Sequence, residues 1–221
     1  MKKTLTIILA SVAMFFATDA FAQMSASVGF ASSRTNFDIA SLTNMKMNMG
    51  GVYGGLSYNI PLSESASGVF GMAPGIYVSY LMKDNAGLAV VKGKISESYL
   101  TVPFDFNYTF PVADGTKFII YAGPSLSCGL SSNISVDALT KFGENAGLSS
   151  VVGSRNDMYD GIISQYIGYD RFDLLLGGGI AMEFEDMIRV NIGYDAGLLN
   201  RGGNYIGVHR NQFQAGVAVL F

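Results

Sequence analysis

The 221-residue chain has one cysteine, Cys128, one histidine, His209, five prolines and no tryptophan. A lone thiol excludes an intramolecular disulfide and every cysteine-rich zinc centre, and a lone imidazole removes most histidine-based metal sites, so neither a metal nor a cofactor is expected. Charge is scarce as well. Charged residues make up 14% of the chain, against about 25% in an ordinary globular protein, which leaves little to cover a water-facing surface. Lys and Arg total 14 and Asp and Glu 17, with no basic run, and this excludes the electrostatic footprint of a nucleic-acid binder. Beyond the N-terminus the sequence has no stretch of uncharged apolar residues as long as the ~18 that a membrane-spanning helix requires. What the chain does have is 49% hydrophobic residues, 27 glycines, 15 phenylalanines and 12 tyrosines, a composition of many short strands and turns rather than of disorder or coiled coil.

The N-terminus reads as an address. Lys2 and Lys3 precede an apolar stretch over 5–17, and Ala20-Phe21-Ala22 places small residues before Gln23. This predicts a secretory signal over 1–22, cleaved to leave a mature chain of 23–221. Removing Lys2, Lys3 and Asp19 leaves 12 basic and 16 acidic residues.

From Gln23 onward the ruling period is two, over segments of about ten residues. Ile188, Val190, Ile192, Tyr194, Ala196 and Leu198 occupy one face, and Arg189, Asn191, Gly193, Asp195 and Gly197 the other. The segments 100–110, 118–128, 172–184 and 212–221 repeat this pattern, and weaker runs at 24–33, 51–60 and 69–81 bring the strands to eight. The connections alternate by length: long at 34–50, 82–97, 131–170 and 200–210, short at 61–68, 111–117 and 185–187. An all-β fold follows, an eight-stranded antiparallel transmembrane β-barrel in an up-and-down meander, with long extracellular loops and short periplasmic turns. A strand of about eleven residues, tilted about 40°, spans roughly 28 Å, which suits the apolar band of a bacterial outer membrane.

A soluble periplasmic ligand-binding barrel would alternate in the same way with its apolar side chains inward. Three features favour lipid outside. Among the 12 basic residues only Arg189 lies well inside a strand; Arg34, Lys46, Lys83, Lys92, Lys94, Lys141, Arg155 and Arg201 fall in the expected loops, and Lys117, Arg171 and Arg210 at strand ends. The polar face is rich in glycine and serine, as a narrow lumen needs. Aromatic residues recur at the ends of the apolar faces, at Tyr58, Phe70, Phe110, Phe118, Phe172, Phe184 and Phe221, where interfacial girdles lie.

The segments Tyr99-Leu100-Thr101-Val102-Pro103-Phe104, Tyr121-Ala122-Gly123-Pro124-Ser125-Leu126, 172–181 and Ile192-Gly193-Tyr194-Asp195-Ala196-Gly197-Leu198-Leu199 resemble the PorT-like outer-membrane β-barrel domain family. The resemblance covers nearly the whole mature chain and is best from Tyr99 onward. It implies the barrel fold and, in some members, a link to protein secretion. Phe221 on an apolar strand face resembles the signal read by the barrel assembly machinery.

The lumen has few expected charges: Asp105, Asp173, Glu183, Arg189 and Asp195 form the candidate polar network. A three-residue turn at Glu185-Asp186-Met187 would place Glu183 opposite Arg189, Ala181 opposite Asn191, Gly179 opposite Gly193 and Gly177 opposite Asp195. Such a network is a polar plug that fixes register, or alternatively a proton or ion path; an eight-stranded interior is only wide enough for side chains. Gly177-Gly178-Gly179 lies within a strand and precedes no helix, which excludes a phosphate cradle. The expected function is non-catalytic, structural or surface-interacting, with 131–170 as the contact element. Expected partners are outer-membrane lipid, the barrel assembly machinery and an extracellular or envelope protein. The alternatives are a lipid-modifying enzyme with His209 as base, a secretion-apparatus component, and the soluble barrel.

Overall fold

The computed structural model describes residues 23–39, 43–84, 93–136, 156–157, 159, 170–202 and 206–221. The expected signal segment, and most of the stretch between 137 and 169, lie outside the described residues. Eight long strands run in sequence: β1 (Gln23–Ile39), β2 (Thr43–Ser65), β3 (Gly68–Asp84), β4 (Gly93–Ala113), β5 (Thr116–Val136), β6 (Phe172–Phe184), β7 (Ile188–Gly197) and β8 (Ile206–Leu220). Each pairs antiparallel with the next, and β1 pairs with β8, so the sheet closes on itself. Asn156–Asp157 adds a two-residue pairing to the end of β5. At the seam Met24 N donates to Phe221 O (3.1 Å) and Phe221 N to Met24 O (2.9 Å). Closure leaves the ring without a free edge, and strands with an open edge could not cross hydrocarbon.

Alternation sets the two faces. Val28, Phe30, Val52, Ile76, Val78, Ile120, Leu126, Ile180, Ile192 and Val217 are exposed on the outer wall, while Ser25, Ser125, Ser127 and Glu183 are buried inside. The apolar faces therefore form the outside of the barrel, and the soluble ligand-binding alternative, which needs them to line a cavity, does not hold. Tyr58, Phe70, Phe110, Phe118, Phe184 and Phe221 fall near the end of the barrel that carries the short turns. Phe70 stacks with Phe106, and Phe110 lies 6.4 Å from Phe118 between ring centroids.

The strands are longer than the sequence reading allows. β1 reaches Ile39, β2 starts at Thr43, and β3 and β4 extend to Asp84 and Gly93. Arg34, Lys46, Lys83 and Lys94 are therefore strand residues and not loop residues, and on the short-turn side β2 runs on to Ser65. The physical reason is a change of solvent along one strand. On β4 the outward face reads Lys94, Ser96, Ser98, then Leu100, Val102, Phe104 and Phe106, while Ile95, Glu97 and Tyr99 point inward and are buried. Where the wall leaves lipid the amphipathic sense inverts. Ala31, Met49, Tyr53, Leu81, Ile95 and Tyr99 pack there into an internal core, so this end is built like a soluble barrel, whereas a period-two scan tuned to outward apolar residues stops at the inversion.

Candidate functional site

The register between β6 and β7 pairs Glu183 with Arg189, Ala181 with Asn191, Gly179 with Gly193 and Gly177 with Asp195. The turn Glu185-Asp186-Met187 sets it, with Glu185 and Asp186 in the left-handed region at φ 52° and 53°. The five candidate lumen residues all face inward, but they do not form one network. They divide among three levels.

At the periplasmic end Arg189 donates to Glu183 Oε2 from Nη2 (2.6 Å) and Nε (3.1 Å), and Lys117 Nζ lies 3.4 Å from Glu183 Oε1. Lys117 also bonds Asp186. That hydrogen bond holds the Asp186 carboxyl below its ordinary range. Gln23, Asn59, Glu64, Thr109, Lys117 and Arg189 are among the residues around a mouth of about 310 Å³. The level above is a cavity of about 100 Å³ lined by Asp105, Asp195, Tyr53, Tyr77, Tyr121 and Asn191, among others. Asn191 Nδ2 donates to Tyr53 Oη at 3.2 Å, and Tyr121 Oη donates to the Ile192 carbonyl at 3.1 Å. Tyr121 lies across the Gly179–Gly193 pair; a Cβ on Gly193 would come within 2.6 Å of its hydroxyl. Glycine here makes room for an aromatic ring.

The third level closes the extracellular end, and its principal residues are ones the sequence reading did not select. Arg201, assigned there to a loop, is fully buried. Its Nε donates to the Asp170 carbonyl (3.0 Å), Nη1 to Tyr99 Oη (3.2 Å) and Nη2 to Tyr159 Oη (2.8 Å). Tyr99 donates to Glu97 Oε2, and Ser132 Oγ donates to Glu97 Oε1 at 3.1 Å. A register shift opposite Ser98 and Tyr99, which leaves Leu130 unpaired on β5, turns Ser132 toward Glu97. Arg210 is also fully buried and not at a solvated strand end; its guanidinium carbon sits 3.8 Å from the Tyr99 ring centroid, its Nη2 donates to Ser127 Oγ (2.8 Å), and its Nε is 4.0 Å from Asp173 Oδ2. Burial pushes the Tyr159 phenol up, which keeps it neutral. Asp173, Arg210 and Gln212 keep buried polar atoms without a protein hydrogen-bond partner, the kind of group that internal water satisfies. The only signals for this level in the sequence are Glu97 and Tyr99 in phase with Thr101 and Asp105 on β4, and Arg210 in phase with Gln212 and Gln214 on β8.

His209 lies on β8 with the outward set, opposite Asn36 of β1. Cys128 is half-buried and in phase with outward Leu126 on β5. Among the described residues no group of three or more His, Cys, Asp or Glu could hold a metal ion.

The model of the outer membrane protein β-barrel domain family matches residues 10–201. The chain belongs to this family. The family is one of bacterial outer-membrane barrels, and the outer membrane is the chain's location. Similar solved structures include the attachment invasion locus protein Ail of Yersinia pestis (12% identity, covering 91% of this chain and 100% of that one, TM-score 0.47), the outer membrane enzyme PagL (11%, 86% and 98%, TM-score 0.49) and OprG from Pseudomonas aeruginosa (9%, 90% and 95%, TM-score 0.43). No curated protein matches the sequence.

Proposed function

We propose that this family member is a non-catalytic outer-membrane barrel that works at its extracellular rim, with segment 131–170 as the contact element. The observation that carries this reading is the anchoring of that segment. Tyr159 is buried in the mouth, accepts from Arg201 and lies under Arg171 at 4.7 Å from its ring centroid. Tyr159 thus gives this long connection one fixed point at the rim, and long connections fixed on a rigid scaffold commonly carry binding function. The lipid-modifying alternative needs a hydroxyl nucleophile beside His209, and the register puts the amide of Asn36 there.

Replacing residues 140–154 by a short Gly/Ser linker tests the reading. The variant is expected to keep its boiling-dependent gel shift and wild-type abundance while the cells take on the phenotype of a deletion strain. Wild-type behaviour in those cells overturns the assignment. Hydrolysis of lipid by the purified barrel, abolished in His209→Ala, would replace it with the enzymatic one. The PorT-like assignment is part of the same proposal, supported by its four segments falling on β4, β5, β6 and β7, with only Leu198 and Leu199 of the last running past the strand; a secretion defect in the linker variant would favour the secretion-component alternative. A role for Phe221 in recognition by the assembly machinery is supported by its 68% exposure at the seam.

A further inference from the structure

The outer wall formed by β8, β1 and β2 changes chemistry abruptly. Toward the periplasm its cross-strand rows are Val219, Ala26 and Leu56, then Val217, Val28 and Gly54, then Ala215, Phe30 and Val52. Phe213, Ser32 and Gly50 come next, and beyond them lie two rows with no apolar member: Asn211, Arg34 and Asn48, followed by His209, Asn36 and Lys46. The outward residues from Phe221 to Phe213 span about 20 Å at ~3.3 Å per residue and a tilt of ~40°, most of the roughly 25 Å apolar band of such barrels. The two polar rows therefore fall at the depth of the outer-leaflet head groups. With strands about 4.8 Å apart, they cover roughly 10 by 7 Å, the size of a phosphorylated sugar.

Arg34 and Lys46 are exposed, and among the described residues neither is paired with a carboxylate. Lys117 and Arg210, by contrast, have carboxylate partners, Lys117 in Glu183 and Asp186 and Arg210 in Asp173. Asn48 Oδ1 accepts from Arg34 Nε at 2.9 Å, which orients the guanidinium within its row. Asn36 Oδ1 is buried without a hydrogen-bond partner. An atom so enclosed is met by an internal water; the partly exposed side chains of Asn36 and Asn211 in the same rows add neutral hydrogen-bonding groups, which suit the hydroxyls of a sugar rather than a bare phosphate diester.

The geometry points to a lipid site on the outer wall: Arg34 and Lys46 take the phosphate of an outer-leaflet glycolipid, Asn36 and Asn211 its sugar hydroxyls, and Phe30, Val52 and Phe213 lie along its acyl chains. Arginine suits this position because its planar fork matches phosphate oxygens. The site is independent of segment 131–170 and goes beyond the rim function proposed above.

Native mass spectrometry of the mature barrel in neutral detergent tests it, with phosphorylated lipid A as probe and dephosphorylated lipid A, phosphatidylglycerol and inorganic phosphate as comparison arms. One phosphorylated lipid A is expected per barrel, with affinity lower by about tenfold or more for the dephosphorylated form and for the Arg34→Gln/Lys46→Gln double variant, the loss of one to two charge-assisted hydrogen bonds. Lys94→Gln, on another wall, should bind as wild type does. Equal retention of the dephosphorylated lipid or of phosphatidylglycerol, an unaffected double variant, or saturation by inorganic phosphate alone overturns the proposal. Should the double variant lose its boiling-dependent shift, the wild-type comparison of the two lipid A forms decides alone. A negative result leaves the linker experiment untouched, since that one reads a cell phenotype.

Discussion

Replacing Arg201 by alanine removes three donors at once, from the Tyr99 and Tyr159 hydroxyls and the Asp170 carbonyl, and it does so next to a fully buried Glu97. Truncating one partner of a buried charged cluster costs about 3–5 kcal/mol, and a lysine there restores little, having no planar fork to reach three acceptors. The expected outcome is a lower urea midpoint for the boiling-dependent band in Arg201→Ala, with less than half recovered in Arg201→Lys. At the other end of the lumen the stakes are smaller. The folded Asp186 carboxyl is held low by Lys117, so its stabilisation is present above the ordinary carboxylate value and is lost as pH falls through the lowered one. Asp186 is mostly exposed, which limits the effect to under about 1 kcal/mol. Asp186→Asn should therefore be slightly less stable than wild type at neutral pH and indistinguishable from it in strong acid.

Elements carry a different kind of constraint, seen where Tyr121 of β5 lies over Gly193 of β7. A methyl on Gly193 meets the Tyr121 hydroxyl at 2.6 Å, and the next nearest atom is 3.5 Å away. Gly193→Ala should thus cost about 1–3 kcal/mol as local overpacking, and almost nothing when Tyr121→Phe has already removed the hydroxyl. A double-mutant cycle in urea checks this; equal costs in both backgrounds would place the strain elsewhere. Much at this scale was legible in the sequence. The three-residue turn and period two together dictate that Glu183 faces Arg189, because in antiparallel pairing the positions opposite one another share a constant sum. The same logic could not reach Arg201, whose burial depends on how 198–202 folds back into the mouth. Nor could it find Glu97, because β4 inverts its polarity between Ser98 and Leu100 and ends, by the pattern alone, before Glu97 is reached.

At the scale of the whole molecule the lumen is interrupted twice, by the Lys117–Glu183–Arg189 cluster at one end and the Arg201–Tyr99–Glu97 cluster at the other. The cavity between them, about 100 Å³, has room for water but is lined by side chains that fill an eight-stranded interior. Liposomes carrying the protein are expected to retain small entrapped solutes, and planar bilayers to show no steady conductance; a stable open level in either would mean that one of the clusters yields under those conditions.

The seam of β1 and β8 brings together residues far apart in sequence, from Ser25 and Leu220 to Ile39 and Ile206. Contacts so distant in sequence form slowly and late. Until they form, two rows of amides stand unpaired at the margins of an incomplete sheet, a condition that hydrocarbon penalises heavily. The barrel consequently has no comfortable halfway stage inside the membrane: entry into lipid and completion of the ring are bound to occur as one event, and departure from lipid is as slow as the opening of that seam.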